Sequence, residues 1–534
     1  MNIKQLPYIF LGLCSLTTVS CNKILEQEPK NSTYNEVFWS DPRAGTNAIA
    51  GNYSMLRDAL SDGLYNTWNC FYAYGDATTD YEFNLRTNDG QGNTEVTQGR
   101  FDHNYVSQAL GNWTKFYKTI AMSNIVLKNM EAVPEEVLKG YADPVNYRNN
   151  IKGQALFIRA LTYFMLVRVW GDVPLVIEAY DDPLKAPHLG RTPKLEVMAQ
   201  IEKDCKAAIE SLKWEYNSAA DKAVTANKGA AYALLAHLYL WRATVSNMQT
   251  NDPIMADVDN AANAINEIET KGGYKLTDTA NYYQTFIGRS TESIFEINKS
   301  ENTLEGSTQH IGRWFLDSRY VRYFAANAFY YVKKDYLSSH YYKTTKVWEW
   351  VWVTNQWVWM EVEKKGMDNS DIRFRKNFDD VNSDYPTCIK YSNIIFREPG
   401  QQLDGNFSNN QNIFRLADMQ LLKAEIALYK NQVTTAIDII NGFRQRNGAH
   451  VSSFVPQTAT KAQVMTEYIA ERAKELYLEG QLFYDLVRTR QAVNSSSWLS
   501  DQRLKAEGFY WPVAPVLFKE NKYLVQTQYW RGKI

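Results

Sequence analysis

The chain has 534 residues, 58 of them basic and 59 acidic, for a formal net charge of −1. So even a balance, with no block of like charge, excludes the basic surface of a nucleic-acid-binding chain and the polybasic footprint of one held to a membrane by charge alone. The compositional signal is aromatic, with 15 Trp, 35 Tyr and 23 Phe. Trp and Tyr join a flat apolar face to a polar handle, which suits a large core or a surface that stacks on sugar rings, and composition does not choose between them.

Met1 to Ser20 reads as a signal peptide, with Lys4 in the positive n-region and an apolar stretch from Leu6 to Leu16. That stretch is too short to span a bilayer. Thr18, Val19 and Ser20 then place small residues before Cys21. Cys21 is therefore expected to be the lipidated residue, although Thr18 stands where a lipobox usually has Leu. An ordinary secretory leader is the alternative, and both put the mature chain outside the cytoplasm. No later run of about 18 apolar residues exists, so the chain is expected to be anchored and not to span. The other cysteines, Cys14, Cys70, Cys205 and Cys388, form no CxxC, and the six histidines form no HExxH. No metal or cofactor is expected. A polar tether, 22–31, follows the leader.

Helical periodicity then dominates. It predicts helices over Ala44–Leu60, over Asn112–Met130 with Trp113, Phe116, Tyr117, Ile120, Asn124 and Leu127 on one face, and over Ile151–Trp170, an apolar run stopped by Gly171 and Pro174. Leu195–Leu212, Asn227–Ala243 and Asp257–Glu269 continue the series. From Tyr274 to Asn410 the pattern breaks into a Tyr-, Trp-, Asn- and Gly-rich region. Helices resume over Ile413–Tyr429, Val433–Arg446 and Lys461–Val493. The expected fold is mainly α, with helical hairpins of tetratricopeptide type in two blocks, 44–270 and 413–493. An irregular aromatic region with loops and short strands, 274–410, is inserted between them. One domain, 21–534, follows the leader.

The segment Ile151 to Leu175, IKGQALFIRALTYFMLVRVWGDVPL, resembles the most recognisable stretch of the SusD/RagB family. Gly153, Ala155, Arg159, Ala160, Tyr163, Phe164, Trp170, Gly171, Val173, Pro174 and Leu175 match it, and Gln154 replaces the usual Glu. Cys21–Pro29, the Trp113, Tyr117, Ile120 and Asn124 series, Lys228–Leu240 and Glu471–Arg488 agree in the family's order, with Gln481 in place of a common Arg. The resemblance implies an outer-surface lipoprotein with about four tetratricopeptide-like repeats that pairs with a TonB-dependent, SusC-like outer-membrane transporter. It also implies that the chain binds oligosaccharides, or in some members peptides, without hydrolysing them. A peptide-capturing lid and a non-catalytic interaction scaffold are the alternatives. Glu471, Glu475 and Glu479 recur every four residues, and carboxylates on one helix face do not flank a glycosidic bond; structural pairing with Arg472 or Arg488 is expected instead.

Ligand contacts are expected on irregular aromatic segments carried by the rigid scaffold. One group is Trp68, Tyr72, Asp76, Asp80, Tyr81 and Arg100; a second is Trp314, Arg319 and Tyr320. The third is the segment Val347–Val362, VWEWVWVTNQWVWMEV. A two-residue turn at Thr354-Asn355 pairs Trp352 with Trp357 and Trp350 with Trp359, and puts Trp348 on their face with the valines opposite. One face is expected to pack on the protein. The Trp face is favoured for that, because five adjacent exposed Trp invite aggregation; if the valines pack instead, the Trp face is a binding platform.

Overall fold

The computed structural model describes residues 37–61, 70–79, 81–86, 96–101, 110–180, 186–299, 310–322, 324–398, 400, 403–495 and 497–534. Cys21 with its leader, Trp68 and Asp80 lie outside these residues.

The scaffold is helical: α1 Ala44–Ser61, α2 Thr114–Ala132, α3 Pro144–Trp170, α4 Lys194–Ser211, α5 Lys228–Val245, α6 Met255–Lys271, α7 Leu416–Tyr429, α8 Val433–Arg446, α9 Lys461–Glu475 and α10 Leu482–Arg488. They pack as successive pairs, α1 with α2, α3 with α4, α5 with α6 and α7 with α8. Each pair also touches the next, and α9 closes the stack against α7 and α8. Stacked helix pairs of this kind bury a continuous core that none could bury alone. One buried cluster accordingly runs from Trp39 to Trp530.

Helix α3 is the spine. Every residue from Phe157 to Trp170 is buried. It starts earlier than its apolar run because Asp143 caps it, accepting the Asn146 N–H, and Pro144 occupies the first turn. It ends where expected, at Gly171, whose φ is +73°. A side chain there would also meet the Tyr510 ring.

Two expected boundaries are corrected. Residues Gln411–Arg415, expected to open a helix at Ile413, form a fully buried strand, β10, paired antiparallel with β2, Ser293–Ile297. Arg415 is extended because its guanidinium reaches Glu475 and Glu479. The expected long helix over 461–493 breaks after Glu475. Leu478 and Gly480 take φ of +54° and +71°, and an added Cβ on Gly480 would lie 2.3 Å from the Phe71 ring. The chain must turn there to let Gly480 and Gly75 touch backbone to backbone.

The remaining strands also form two-stranded antiparallel pieces: β1 Phe83–Leu85 with β3 Tyr330–Val332, β4 Tyr342–Val353 with β5 Gln356–Met367, β6 Phe378–Asp379 with β7 Thr387–Cys388, and β8 Ile394–Glu398 with β9 Leu403–Phe407. Most of them lie in the aromatic region, as expected. The long hairpin β4–β5 stands apart from the rest.

Candidate functional site: an exposed tryptophan hairpin

Strands β4 and β5 join through Thr354 and Asn355, with φ of +47° and +66°. Left-handed values at both central positions are those of the two-residue turn whose twist matches its strands. Asn accepts that conformation readily, whereas β-branched Thr adopts it at a cost. The turn sets the register: Trp352 faces Trp357, Trp350 faces Trp359 and Trp348 faces Glu361. The pairing is the one read from the period-two spacing.

The paired rings interlock at an angle. Trp350 and Trp359 have centroids 5.5 Å apart at 56°, and Trp352 and Trp357 5.3 Å apart at 65°. Tilted aromatic pairs contribute about 0.5–1.5 kcal/mol each beyond area burial. The five Trp nevertheless remain 51–62 % exposed. The expectation that the Trp face packs on the protein is therefore wrong. On the opposite face Val347, Val351, Val358 and Val362 are only half-buried, and Val353 and Met360 are exposed.

The hairpin is held at its root. The Thr344 N–H donates to Ser452 Oγ at 2.8 Å, and the strands contact the turn 451–453 and the short helix Lys334–His340. Up the stem, Lys346 pairs with Glu361 at 3.0 Å on the Trp face and Glu349 with Lys364 on the valine face. Beyond them Trp350 to Met360 carries no charge. The distal half is thus apolar on both sides.

The other candidates divide between core and surface. Tyr72, Asp76 and Trp314 are 3 %, 0 % and 1 % exposed. Tyr72 meets Trp314 edge to face at 6.3 Å, so the structure does bring these two together, but inside the core and not at a surface a ligand can reach. Asp76 Oδ2 accepts the Gly480 N–H at 2.9 Å, and burial pushes its carboxyl up to about 8. Tyr81 is half-buried, with its hydroxyl 2.9 Å from His340 Nε2. Arg100 is exposed. Arg319 and Tyr320 reach the surface together, Arg319 on Asp317 and Asp380 and Tyr320 donating to Asp379 at 2.6 Å. Asp317 is a local partner, two residues before Arg319, but Asp379 and Asp380 lie about sixty residues away in the chain and no local motif marks them.

Glu471, Glu475 and Glu479 are buried ion-pair partners, though not of Arg472 or Arg488. Glu471 meets Arg373, Arg444 and Lys474; Glu475 meets Arg373 and Arg415; Glu479 meets Arg415 and Lys390. Arg472 pairs instead with Asp418 and Asp485, and Arg488 with Glu425 and Asp485. Burial would raise the Glu475 carboxyl; the charges of Arg415, Arg373 and Arg446 outweigh it and hold it down at about 2. These carboxylates are locked among cations in the core and do not face each other across a cleft.

Residues 240–530 match the family model described as the SusD family, and residues 50–240 one described as starch-binding, associating with the outer membrane. A SusD-like protein of Formosa agariphila is 25 % identical over 96 % of both chains. Among solved structures, a SusD superfamily protein of Bacteroides thetaiotaomicron superposes with a TM-score of 0.73 at 22 % identity, covering 92 % of this chain and 99 % of its own. One from Bacteroides vulgatus gives 0.69 at 20 %, covering 92 % and 99 %.

Proposed function

This chain belongs to the SusD family of outer-membrane-associated binding proteins, which act beside a SusC-type, TonB-dependent transporter, and from that premise we propose that it captures oligosaccharides on the Trp face of the β4–β5 hairpin and hands them to such a transporter. The observation that carries the proposal is the exposure of Trp348, Trp350, Trp352, Trp357 and Trp359 on one face of a hairpin whose register holds them in place. An apolar patch of this size on a protein surface marks an interaction site. Indole faces offer stacking to the C–H faces of sugar rings, and Lys346 and Glu361 on the same face offer partners for hydroxyls. Acylation at Cys21 would keep the site at the cell surface, since several acyl chains anchor stably where one does not.

Titration of the mature chain with neutral oligosaccharides, followed by tryptophan fluorescence and calorimetry, tests the proposal. Wild type should bind, and Trp350→Ala/Trp359→Ala should lose about tenfold or more in affinity with an unchanged melting temperature. Binding of peptides in place of sugars would transfer the site to a peptide-capture role. Sugar binding untouched by the double substitution would remove the hairpin from the site.

A further inference from the structure

A wide cleft among the described residues shares no residue with the hairpin. It opens between the turn after α5, at Ser246–Gln249, and the C-terminal segments around Arg503 and Tyr529, with a volume of about 1070 Å³. That is the upper end of what small-molecule sites occupy. Four cations line it, Arg503, Lys505, Arg531 and Lys533, against one carboxylate, Glu507. Glu507 is itself ion-paired to Lys194. In a chain with a net charge of −1, this concentration of cations in one concavity is a local departure.

The aromatic parts of the cleft are fixed in advance. Trp498 donates its indole N–H to the Thr78 carbonyl at 3.0 Å and stacks on Phe483. Arg503 lies over Trp498 at 4.4 Å and Tyr529 at 5.0 Å, and donates to the carbonyls of Gly99 and Gly508. Lys533 sits 3.2 Å from the Tyr529 ring centroid. Arg503 is therefore a strut, while Arg531 and Lys533 are exposed. The faces of both rings are thus taken by cations, which they hold at the cleft wall, and the side-chain amides of Gln249, Gln502 and Gln528 suit sugar hydroxyls. Lys505 is paired with Asp501 at 2.7 Å and Arg503 is committed as a strut, which leaves Arg531 and Lys533 as the cations the cleft offers; carboxylate or sulfate groups give them partners that neutral sugars do not.

We propose that this cleft is a second carbohydrate site, selective for oligosaccharides that bear carboxylate or sulfate groups. The proposal rests on the reading of the chain as a glycan-binding protein and adds a ligand class to it.

The test titrates the mature chain with three oligosaccharides of equal length, one neutral, one built of uronic acids and one sulfated, at low and raised salt. The variants are Arg531→Ala/Lys533→Ala, whose side chains are exposed, and Trp350→Ala/Trp359→Ala as the hairpin control. The cleft variant should lose about tenfold in affinity for the charged sugars and none for the neutral one. Salt should weaken only the charged complexes, and the hairpin variant should keep its response at the cleft. Equal binding of charged and neutral sugars, indifferent to Arg531 and Lys533, overturns the second site and leaves the hairpin reading standing. Failure of every sugar to bind wild type overturns both. A polyglutamate peptide that binds the cleft as tightly as the uronate overturns it in favour of a protein dock.

Discussion

Glu475 accepts from Arg373 and Arg415 in a space closed to water, and its carboxyl is held at about 2 against a usual 4.5. A carboxyl depressed in the folded state adds stability that is complete above its unfolded pKa and is lost as pH falls toward the folded one. Through Glu475 the melting temperature is therefore expected to fall steadily from about pH 5 toward pH 2; a flat profile through that range contradicts the assignment. Arg373→Met should cost about 3–5 kcal/mol at neutral pH, because it leaves Asp371, Glu471 and Glu475 short of a cation they are buried with. Asp76 works in the opposite sense. Its carboxyl is raised to about 8, so folding loses stability as pH climbs from about 4 to 8, and Asp76→Asn should melt higher than wild type at pH 8. The spacing of Glu471, Glu475 and Glu479 marks them as structural, yet their partners Arg373 and Lys390 come from a region without periodicity and Arg415 from a strand whose sequence reads as helix, and only the tertiary fold joins them. Tyr72 and Trp314 show the same limit from the other side: an aromatic in an irregular segment carries no local mark of whether it faces in or out.

Among the elements, long helices with apolar faces were legible to within a few residues, because burial of one stripe and a capping residue determine both ends. The start of α3 lies ahead of its apolar run because Asp143 and Pro144 open it locally; the other boundaries that failed are those decided by a distant contact. The break after Glu475 exists because the Gly480 and Gly75 backbones meet. Gly480→Ala, strained both by its φ of +71° and by the Phe71 ring, should cost more than about 2 kcal/mol and be visible in chemical denaturation. The hairpin was legible in register because alternation and a two-residue turn leave no freedom, but not in its surroundings. Its own cross-strand Trp pairs do part of what a packed face would do, so the Trp face stays open to solvent. Replacing Thr354-Asn355 by Asn-Gly, the pair that this turn type favours, should slow amide exchange across 342–367 and leave the global melting temperature where it was.

At the scale of the whole molecule, one core from Trp39 to Trp530 carries the stability, and the β4–β5 hairpin is attached to it through a narrow root. Tyr342 and Met367 are paired at that root, and opposite residues of an antiparallel pair lie about 5 Å apart. The chain can therefore be cut after Tyr342, rejoined before Met367 and closed with a two-residue turn. The root contact of Thr344 with Ser452 is lost, but no side chain of the main core is removed. The shortened protein should keep its far-ultraviolet circular dichroism and melt within about 2 °C of wild type. It should also lose binding of neutral oligosaccharides while retaining the response of the cationic cleft to charged ones. A large drop in melting temperature would show the hairpin to be part of the fold's support, and its tryptophans would then need no ligand to explain them. Retained binding of neutral sugars would place their site elsewhere on the scaffold, with the surface around Arg319 and Tyr320 as the next to probe.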